Sequence, residues 1–204
     1  MKTNVILDFL PDTIVVDGKK IELFTDFRDW LQFNRLLNQK EITDEEVKEA
    51  FDCVIKKYVH VDPLNLIKGL MDFMNEKEKV EIDETKPIKM KDLMAEKEED
   101  AEPIGQPVLD YDYDSNYIYA AFLQQYGIDL RNAEMHWYEF KALFSGLTEK
   151  CKIVEIIGYR SISDSSYSQM SKEERKRVKR MQKIYQLPDK RTDEEIERDF
   201  ANGL

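Results

Sequence analysis

The segment from Asp110 to Arg160 constrains the fold most, because it carries most of the large aromatic residues of the C-terminal half in two series with helical spacing. The members of the two series are Ile118, Phe122 and Tyr126, and then Trp137, Phe140 and Phe144. Apolar residues three or four positions apart lie on one face of an α-helix. The pattern therefore predicts two amphipathic helices, and the short connection between them predicts that they pack antiparallel through their aromatic faces.

Both predicted helices have recognisable ends. Three acids at alternate positions, Asp110, Asp112 and Asp114, precede the first helix, and such side chains accept hydrogen bonds from the free amides of a helix N-terminus. Gly127 and Gly146 follow the two series, as glycine often does at a helix C-terminus. The alternating acids also resemble the start of a calcium-binding EF-hand loop, but that loop needs glycine and glutamate where this chain has Ser115 and Ala121. We therefore interpret the acids as helix caps.

The N-terminal part of the chain, residues 1–79, predicts a β-hairpin followed by three helices. Asp17-Gly18 lies between two short β-prone runs and suits a tight turn with positive φ. Thr25 or Asp26, a capping box at residues 43–46 and Asp62-Pro63 predict the starts of the helices. Their predicted apolar stripes are Phe27, Trp30, Leu31, Asn34 and Leu37; Val47, Ala50, Phe51, Val54, Ile55 and Tyr58; and Leu66, Ile67, Leu70, Phe73 and Met74.

The middle of the chain changes in character. Between Glu76 and Glu102 there are eleven acids and six lysines, a local net charge of −5, with few large apolar residues. Such a segment buries too little apolar surface to offset the entropy lost on ordering. We therefore predict a mainly α-helical protein with a hairpin and three helices at 1–79, an acidic flexible linker at 80–109, and a helical C-terminal domain of bundle type at 110–204.

The C-terminal part predicts a short helix over 148–157, stopped by Gly158, and then a strongly basic helix over 172–186. Ser171 and Glu174 form a capping-box sequence at the start of the basic helix, and Val178, Met181 and Tyr185 predict its buried side. Its charged residues, seven basic and two acidic, are Lys172, Arg175, Lys176, Arg177, Lys179, Arg180 and Lys183 against Glu173 and Glu174. A basic helix is typical of phosphate or nucleic-acid binding, yet it carries no aromatic side chain for base stacking except Tyr185. We favour a solvated face that docks on an acidic partner or on the acidic segment of the chain itself.

No residue pattern indicates catalysis or a cofactor. His60 and His136 are the only histidines, Cys53 and Cys151 lack metal or redox spacing, and no glycine-rich phosphate loop is present. The net charge of −11 disfavours binding to nucleic acid and to anionic membranes, and no apolar run approaches the length of a bilayer span. We therefore expect a non-enzymatic interaction protein of the cytoplasm, without metal or cofactor, with His136 in a packing or hydrogen-bonding role.

A family resemblance adds a biological setting. Tyr117 to Phe122, Gln124, Tyr126 to Leu130, His136-Trp137, Phe140 to Leu143, Tyr159-Arg160 and the residues from Met170 into the basic helix resemble the gene-product-fifteen family of tailed bacteriophages that infect Gram-positive hosts. The similarity covers residues 110–187 well and residues 14–79 more loosely. Proteins of this family are encoded beside the tail tape-measure protein. The resemblance implies a tail-assembly chaperone that binds the tape-measure protein or other tail proteins in the bacterial host.

Two other functions stay open at this stage, a structural component retained in the virion tail and a nucleic-acid-binding regulator that uses the basic helix. Homo-oligomerisation is also open. For partner binding we predict five aromatic and three basic residues. They are Tyr119, Phe122, Tyr126, Trp137, Phe140, Arg175, Arg177 and Arg180. For each aromatic residue the alternative is a place in the protein's own core, and this applies most to Trp137 and Phe140, in the middle of their series.

Overall fold

A computed structural model describes residues 5–39, 42–76, 107–163, 166–167 and 170–189. Two strands, β1 (Thr13–Val16) and β2 (Lys19–Glu22), are followed by seven helices in these residues. The helices are α1 (Phe27–Leu37), α2 (Asp44–Val54), α3 (Pro63–Met74), α4 (Ser115–Tyr126), α5 (Trp137–Ser145), α6 (Lys152–Ser161) and α7 (Lys172–Ile184). The predicted fold class, mainly α with an N-terminal hairpin, is confirmed. Most of the predicted linker, residues 77–106, and the chain beyond residue 189 lie outside the described residues.

The chain forms two compact units, each assembled from three separate segments. Unit 1 comprises Met1–Phe33, Phe51–Ile104 and Glu134–Gly146, and unit 2 comprises Asn34–Ala50, Gly105–Ala133 and Leu147–Leu204. The predicted domain limits at residues 79 and 110 stay a prediction, because residues 77–106 are not described.

The hairpin of unit 1 turns at Asp17 and Gly18, whose φ angles of 49° and 69° fit the expected tight turn. Its strands pair antiparallel with Ile14 opposite Ile21. The Asp17 carboxylate accepts hydrogen bonds from the Asp62 N–H (2.8 Å) and the Asn65 side-chain amide (2.6 Å). Asp62 is the N-cap of α3 and accepts from two amides of its first turn, as predicted. The turn of the hairpin is thereby tied to the start of α3.

Aromatic side chains from α1, α3 and α5 form the core of unit 1. Trp30 stacks on Phe73 at 4.6 Å between ring centroids and lies 6.4 Å from Trp137, while Phe27 stacks on Phe140 at 5.0 Å. The Trp137 Nε1–H donates to the Met74 carbonyl at 2.9 Å, so its polar atom is satisfied within the core. The buried face of α1 uses Phe33 and Leu36. Of the predicted stripe, Phe27 and Trp30 are buried, whereas Leu31, Asn34 and Leu37 are only half-buried.

The helix α2 ends at Val54, earlier than the predicted stripe through Tyr58. Ile55 leaves the helix and forms an isolated antiparallel bridge with Leu23, next to hydrogen bonds from the Phe24 N–H to the Val54 carbonyl and from the Lys56 N–H to the Glu22 carbonyl. Pairing with the strand end of the hairpin replaces the last helical turn. Ile55 is buried by this pairing, and Tyr58 is exposed.

In unit 2, α4 packs against α6, and α6 packs against α7. Gly127 has a φ of 68° and closes α4 in the left-handed conformation, as predicted. The helices α4 and α5 belong to different units, so their predicted antiparallel pairing stays a prediction.

The helix α6 also differs from the prediction. It begins at Lys152 and continues through Gly158 to Ser161, so the glycine does not stop it. A glycine within a helix costs about 1 kcal/mol relative to alanine, which packing and hydrogen bonds readily offset. The extra turn places Arg160 within α6.

Candidate partner-binding surfaces

The basic helix α7 starts at a complete capping box. The Ser171 hydroxyl accepts from the Glu174 N–H at 3.2 Å, and the Glu174 carboxylate accepts from the Ser171 N–H at 3.0 Å. The hydrogen bond from the Ser171 backbone amide lowers the pKa of Glu174 below its ordinary value. The predicted start of this helix is confirmed, and its C-terminus lies at Ile184.

One side of α7 is anchored to the rest of unit 2. Val178 is buried, and Gln182 donates two hydrogen bonds through Nε2, to the Tyr159 carbonyl at 3.0 Å and to the Ile162 carbonyl at 2.9 Å. Gln182 also accepts a hydrogen bond from the Tyr167 hydroxyl. These contacts join α7 to the C-terminal end of α6.

A buried ion pair holds the same region together. The Arg160 guanidinium contacts both oxygens of the Asp114 carboxylate, at 2.6 and 2.9 Å, and the two side chains are 6% and 0% exposed. Arg160 also donates to the carbonyls of Tyr185 (2.7 Å) and Val108 (3.1 Å). One side chain of α6 therefore connects the start of α4, the end of α7 and the segment before α4.

The pairing corrects the predicted role of the alternating acids. Asp114 makes no side-chain cap to α4; its Oδ2 accepts from the Asp110 N–H and from Arg160. Asp110 accepts from the amides of Asp112 and Tyr113 and so stabilises the turn that leads into the helix. The sequence analysis did not predict this ion pair. Two features could have indicated it: Asp114 directly precedes the aromatic face of α4, and Arg160 follows the apolar residues of α6.

Three basic residues of α7 are engaged inside unit 2. Arg175 donates to the Tyr167 carbonyl at 2.6 Å, and Arg177 reaches the Tyr159 hydroxyl at 3.4 Å. The Lys179 ammonium lies 4.9 Å from the centroid of the Tyr167 ring. Of the three arginines predicted to bind a partner, two thus also serve the protein's own structure.

Four other cations form a separate row, which we call the basic ridge: Lys172, Lys176, Arg180 and Lys183. All four residues are exposed. Within the described part of the chain, none of them has an ion-pair or hydrogen-bond partner. At 3.6 residues per turn they fall within an arc of about 80°, on the opposite side of the helix from Val178. The predicted binding residue Arg180 belongs to this ridge.

The five aromatic residues predicted to bind a partner lie in different surroundings. Trp137 and Phe140 are buried in unit 1, and Phe122 is buried in unit 2, with at most 1% exposure each. Tyr126 is half-buried with its ring edge toward Phe122. Tyr119 is half-buried beneath the Arg131 guanidinium, 5.2 Å from its ring centroid. Their role in partner binding stays a prediction, and in the folded chain a partner has direct access only to Tyr119 and Tyr126.

A more exposed apolar surface lies at the N-terminus. Ile6, Leu7 and Phe9 are 90%, 80% and 104% exposed, so this short run leaves large apolar side chains in solvent. Sequence reasoning assigned it no role, because the run is too short to show a helical or strand period. The feature that could have indicated this surface is the cluster of apolar residues directly before Pro11.

No group of three or more histidine, cysteine, aspartate or glutamate side chains in the described residues could hold a metal ion. In that same part of the chain, no helix is long and apolar enough to cross a membrane. Cys151 is buried and Cys53 half-buried, and neither forms a disulfide.

A family model described as Bacteriophage Gp15 protein matches residues 6–187. The chain belongs to this family. Comparisons with curated proteins and with solved structures give no match. The resemblance inferred from the sequence is therefore confirmed, and the chain is a bacteriophage-related protein.

In this Gp15 protein, the dipeptide His136-Trp137, one of the family-like sequences, joins α5 to unit 1. Residues 26 and 136 form an antiparallel bridge, in which the Trp137 N–H donates to the Thr25 carbonyl at 2.8 Å. His136 is the N-cap of α5: its Nδ1 accepts from the Tyr138 N–H at 3.0 Å, and its Nε2 lies 3.0 Å from the Pro11 carbonyl. An imidazole that accepts at Nδ1 and donates from Nε2 is neutral.

The environment of His136 favours that neutral form. Burial lowers the pKa of His136 from its ordinary value of 6.5, although several nearby carboxylates act in the opposite direction. The predicted hydrogen-bonding role of His136 is therefore confirmed. Its ring also lies against Phe73 and Tyr138.

Proposed function

We propose that this chain is a tail-assembly chaperone that binds the phage tape-measure protein in the host cytoplasm and keeps it soluble without chemical catalysis. The observation that carries the proposal is the match to the Gp15 family over residues 6–187. A family of tailed-phage proteins encoded beside the tape-measure protein is expected to act on that neighbour.

The exposed apolar residues at the N-terminus support a protein-binding role. A long helical client exposes apolar seams before it assembles, and covering those seams requires apolar side chains that are accessible on the chaperone. Ile6, Leu7 and Phe9 satisfy that requirement. Pro11, two residues after Phe9, is held by the hydrogen bond to His136, so the exposed run ends next to a fixed point of unit 1.

Co-expression tests the proposal directly. The tape-measure protein of the same phage is produced alone and together with this chain, and its soluble fraction is measured after centrifugation. We expect most of the tape-measure protein to be soluble only with its partner, and to co-purify with it. An unchanged aggregate in the presence of well-expressed, folded chain contradicts the proposal.

Surface variants locate the binding residues. Ile6→Ser with Phe9→Ser removes two exposed apolar side chains from unit 1, and we expect this variant to lose most of the solubilising effect. Leu123→Ser with Ile184→Ser is the matched control, because these residues are 47% and 54% exposed in unit 2. Equal losses in both variants would show that the N-terminal run has no special role.

Composition of purified tails distinguishes a transient chaperone from a structural component. Quantitative mass spectrometry of finished tails should find this chain absent or far below the stoichiometry of the tape-measure protein. A fixed stoichiometric amount in infectious particles would instead support a retained tail component.

A further inference from the structure

We propose that the basic ridge of α7 binds an acidic helical face of a protein partner. The ridge consists of Lys172, Lys176, Arg180 and Lys183, which are exposed on the side of α7 opposite to its buried residue Val178.

The cations of α7 fall into two groups according to their contacts. Arg175, Arg177 and Lys179 contact Tyr167 or Tyr159 within unit 2. The four ridge residues make no such contact among the described residues, although Glu173 and Glu174 lie on the same helix. Like charges along one helical face repel one another, and an acidic partner relieves that repulsion.

The spacing of the ridge indicates what kind of surface it fits. Lys172, Lys176 and Arg180 follow one another at four-residue intervals, which places them about 6 Å apart along the helix axis, and Lys183 extends the row to about 16 Å. Carboxylates at the same intervals on a second helix reproduce this separation. Two helices side by side can therefore form a series of intermolecular ion pairs, as flanking charges do in coiled coils.

The remaining charge of the molecule disfavours long polyanions. Setting aside the four ridge cations, the chain carries a net charge of −15, since its total is −11. A nucleic acid or an anionic membrane extends beyond the ridge, and this net negative charge repels it. A short acidic face on a protein helix contacts only the cations of the ridge.

The aromatic residues near α7 also argue against nucleic acid. Tyr167 is 8% exposed, and the half-buried Tyr185 is in T-shaped contact with Tyr117, while the ammonium groups of Lys179 and Lys152 lie over the Tyr167 and Tyr185 rings. Binding of single strands depends on rings on which bases can stack. Neither tyrosine offers an open ring on the ridge side.

Binding to a designed peptide tests this inference on the full-length chain. The probe is a fluorescent, alanine-based helical peptide of eighteen residues with glutamates at i, i+4, i+8 and i+11, and its binding is followed by anisotropy at low salt. The comparison peptide has the same four glutamates distributed around the helix. We expect the aligned peptide to bind at least about fivefold more tightly, with an affinity that falls steeply as salt screens the ion pairs.

Two variants of equal charge change identify the binding surface. Lys176→Gln with Arg180→Gln removes two ridge cations, and we expect the affinity for the aligned peptide to fall by roughly fivefold or more. Arg175→Gln with Arg177→Gln removes two cations of the same helix outside the ridge, and we expect an affinity within about twofold of the original chain. Circular dichroism of both variants checks that they retain their helical content.

Each other outcome overturns the inference. Equal affinity for the two peptides removes the role of spacing, and equal loss in the two variants removes the role of the ridge. Tighter binding of an eighteen-nucleotide oligothymidine than of the aligned peptide assigns α7 to nucleic acid. If the aligned peptide does not bind even at millimolar concentration, the ridge does not have this function.

Only the identity of the natural partner rests on the proposed chaperone function, so the two proposals fail separately. If the chain solubilises the tape-measure protein but does not bind the aligned peptide, the chaperone function is supported and the binding role of the ridge is contradicted. If the chain binds the peptide through the ridge but leaves the tape-measure protein insoluble, the binding role is supported and the chaperone function is contradicted.

Discussion

At the scale of single residues, the buried pair of Asp114 and Arg160 is the most consequential electrostatic feature of unit 2. Burying a charge is costly unless it is paired and hydrogen-bonded. Here the carboxylate receives two guanidinium contacts and a backbone amide, and the guanidinium also reaches two carbonyls. Since both side chains are almost fully enclosed, removing one leaves the other buried without its counter-ion.

We expect Asp114→Ala to lower the free energy of unfolding by about 3–5 kcal/mol, because it leaves the Arg160 guanidinium buried and uncompensated. Urea unfolding monitored by circular dichroism measures the change. The double variant Asp114→Leu with Arg160→Met replaces the pair with apolar groups and should recover a large part of the loss.

The exposed pair of Lys152 and Glu155 is the matched control for this prediction. It lies in α6, like Arg160, but both side chains are about 40% exposed. Glu155→Ala should therefore cost far less than Asp114→Ala. Similar losses in the two variants would show that burial of the Asp114 pair contributes little.

His136 makes stability depend on pH through its lowered pKa. The unfolded chain binds a proton at His136 near pH 6.5, whereas the folded chain resists protonation because burial favours the neutral imidazole. The contribution of His136 to the free energy of unfolding is therefore fully present above pH 6.5 and is lost as the pH falls below it. We expect the melting temperature of the original chain to drop between pH 7 and pH 5 more than that of His136→Asn, which keeps an N-cap side chain that does not titrate.

His60→Asn provides the comparison for His136, since the His60 side chain is exposed. If His60→Asn and His136→Asn change the profile equally, burial of His136 does not produce the pH dependence.

At the scale of secondary-structure elements, the approach of α3 to the hairpin depends on one glycine. A Cβ atom on Gly69 would lie 2.9 Å from Val16 Cγ2 and 3.3 Å from Ile14 Cδ1. Valine is stiff at χ1 and its strand is fixed by pairing, so Val16 cannot move away freely. The contact of α3 with β1 therefore leaves no room for a side chain at position 69.

Alanine substitutions at two helical glycines should have opposite effects. We expect Gly69→Ala to lower the melting temperature, because overpacking of about 1–3 kcal/mol exceeds the gain in helix propensity of at most about 1 kcal/mol. Gly158→Ala should raise it, since the added methyl group in α6 meets no atom within 4 Å. Thermal unfolding of the two variants measures both signs, and stabilisation by Gly69→Ala would contradict the tight packing described.

The elements that were predicted correctly from sequence depend on local hydrogen bonds. The Asp17-Gly18 turn and the two capping boxes, at residues 43–46 and 171–174, involve partners at most three positions apart. Such arrangements are encoded by neighbouring residue types. The same is true of Gly127 at the end of α4.

The errors arise where distant residues decide the local structure. The helix α2 stops at Val54 because Ile55 pairs with Leu23, more than thirty positions earlier. The helix α6 continues past Gly158, where Arg160 binds Asp114. The spacing of apolar residues along the sequence contains neither partner, so it predicts that α2 ends too late and that α6 begins and ends too early.

The same limit applies to the binding surfaces. Sequence identified α7 as basic but grouped Arg175 and Arg177 with Arg180, since all three are cations of one helix. Which of them is available depends on where Tyr159 and Tyr167 lie, and that follows only from the packing of α6 and α7.

At the scale of the whole molecule, unit 1 combines the beginning of the chain with a helix from its second half. Helix α5 contributes Trp137 and Phe140 to the aromatic core, where Phe27 and Trp30 lie more than one hundred positions earlier. The indole of Trp137 and the ammonium of Lys141 both donate to the Met74 carbonyl at 2.9 Å. Every one of these partners of α5 lies before residue 77.

We therefore predict that a fragment of residues 107–204 does not reproduce the native surroundings of Trp137. This fragment contains Trp137 as its only tryptophan, because the chain has two and the other is Trp30. Its fluorescence emission should lie at longer wavelength than that of the full chain, in which both tryptophans are at most 1% exposed. Adding a fragment of residues 1–106 should shift the emission of the mixture to shorter wavelength than the sum of the separate spectra, since it supplies Phe27, Trp30 and the Met74 carbonyl. A native-like blue emission from the isolated C-terminal fragment would instead show that residues 110–204 form the autonomous domain predicted from the sequence.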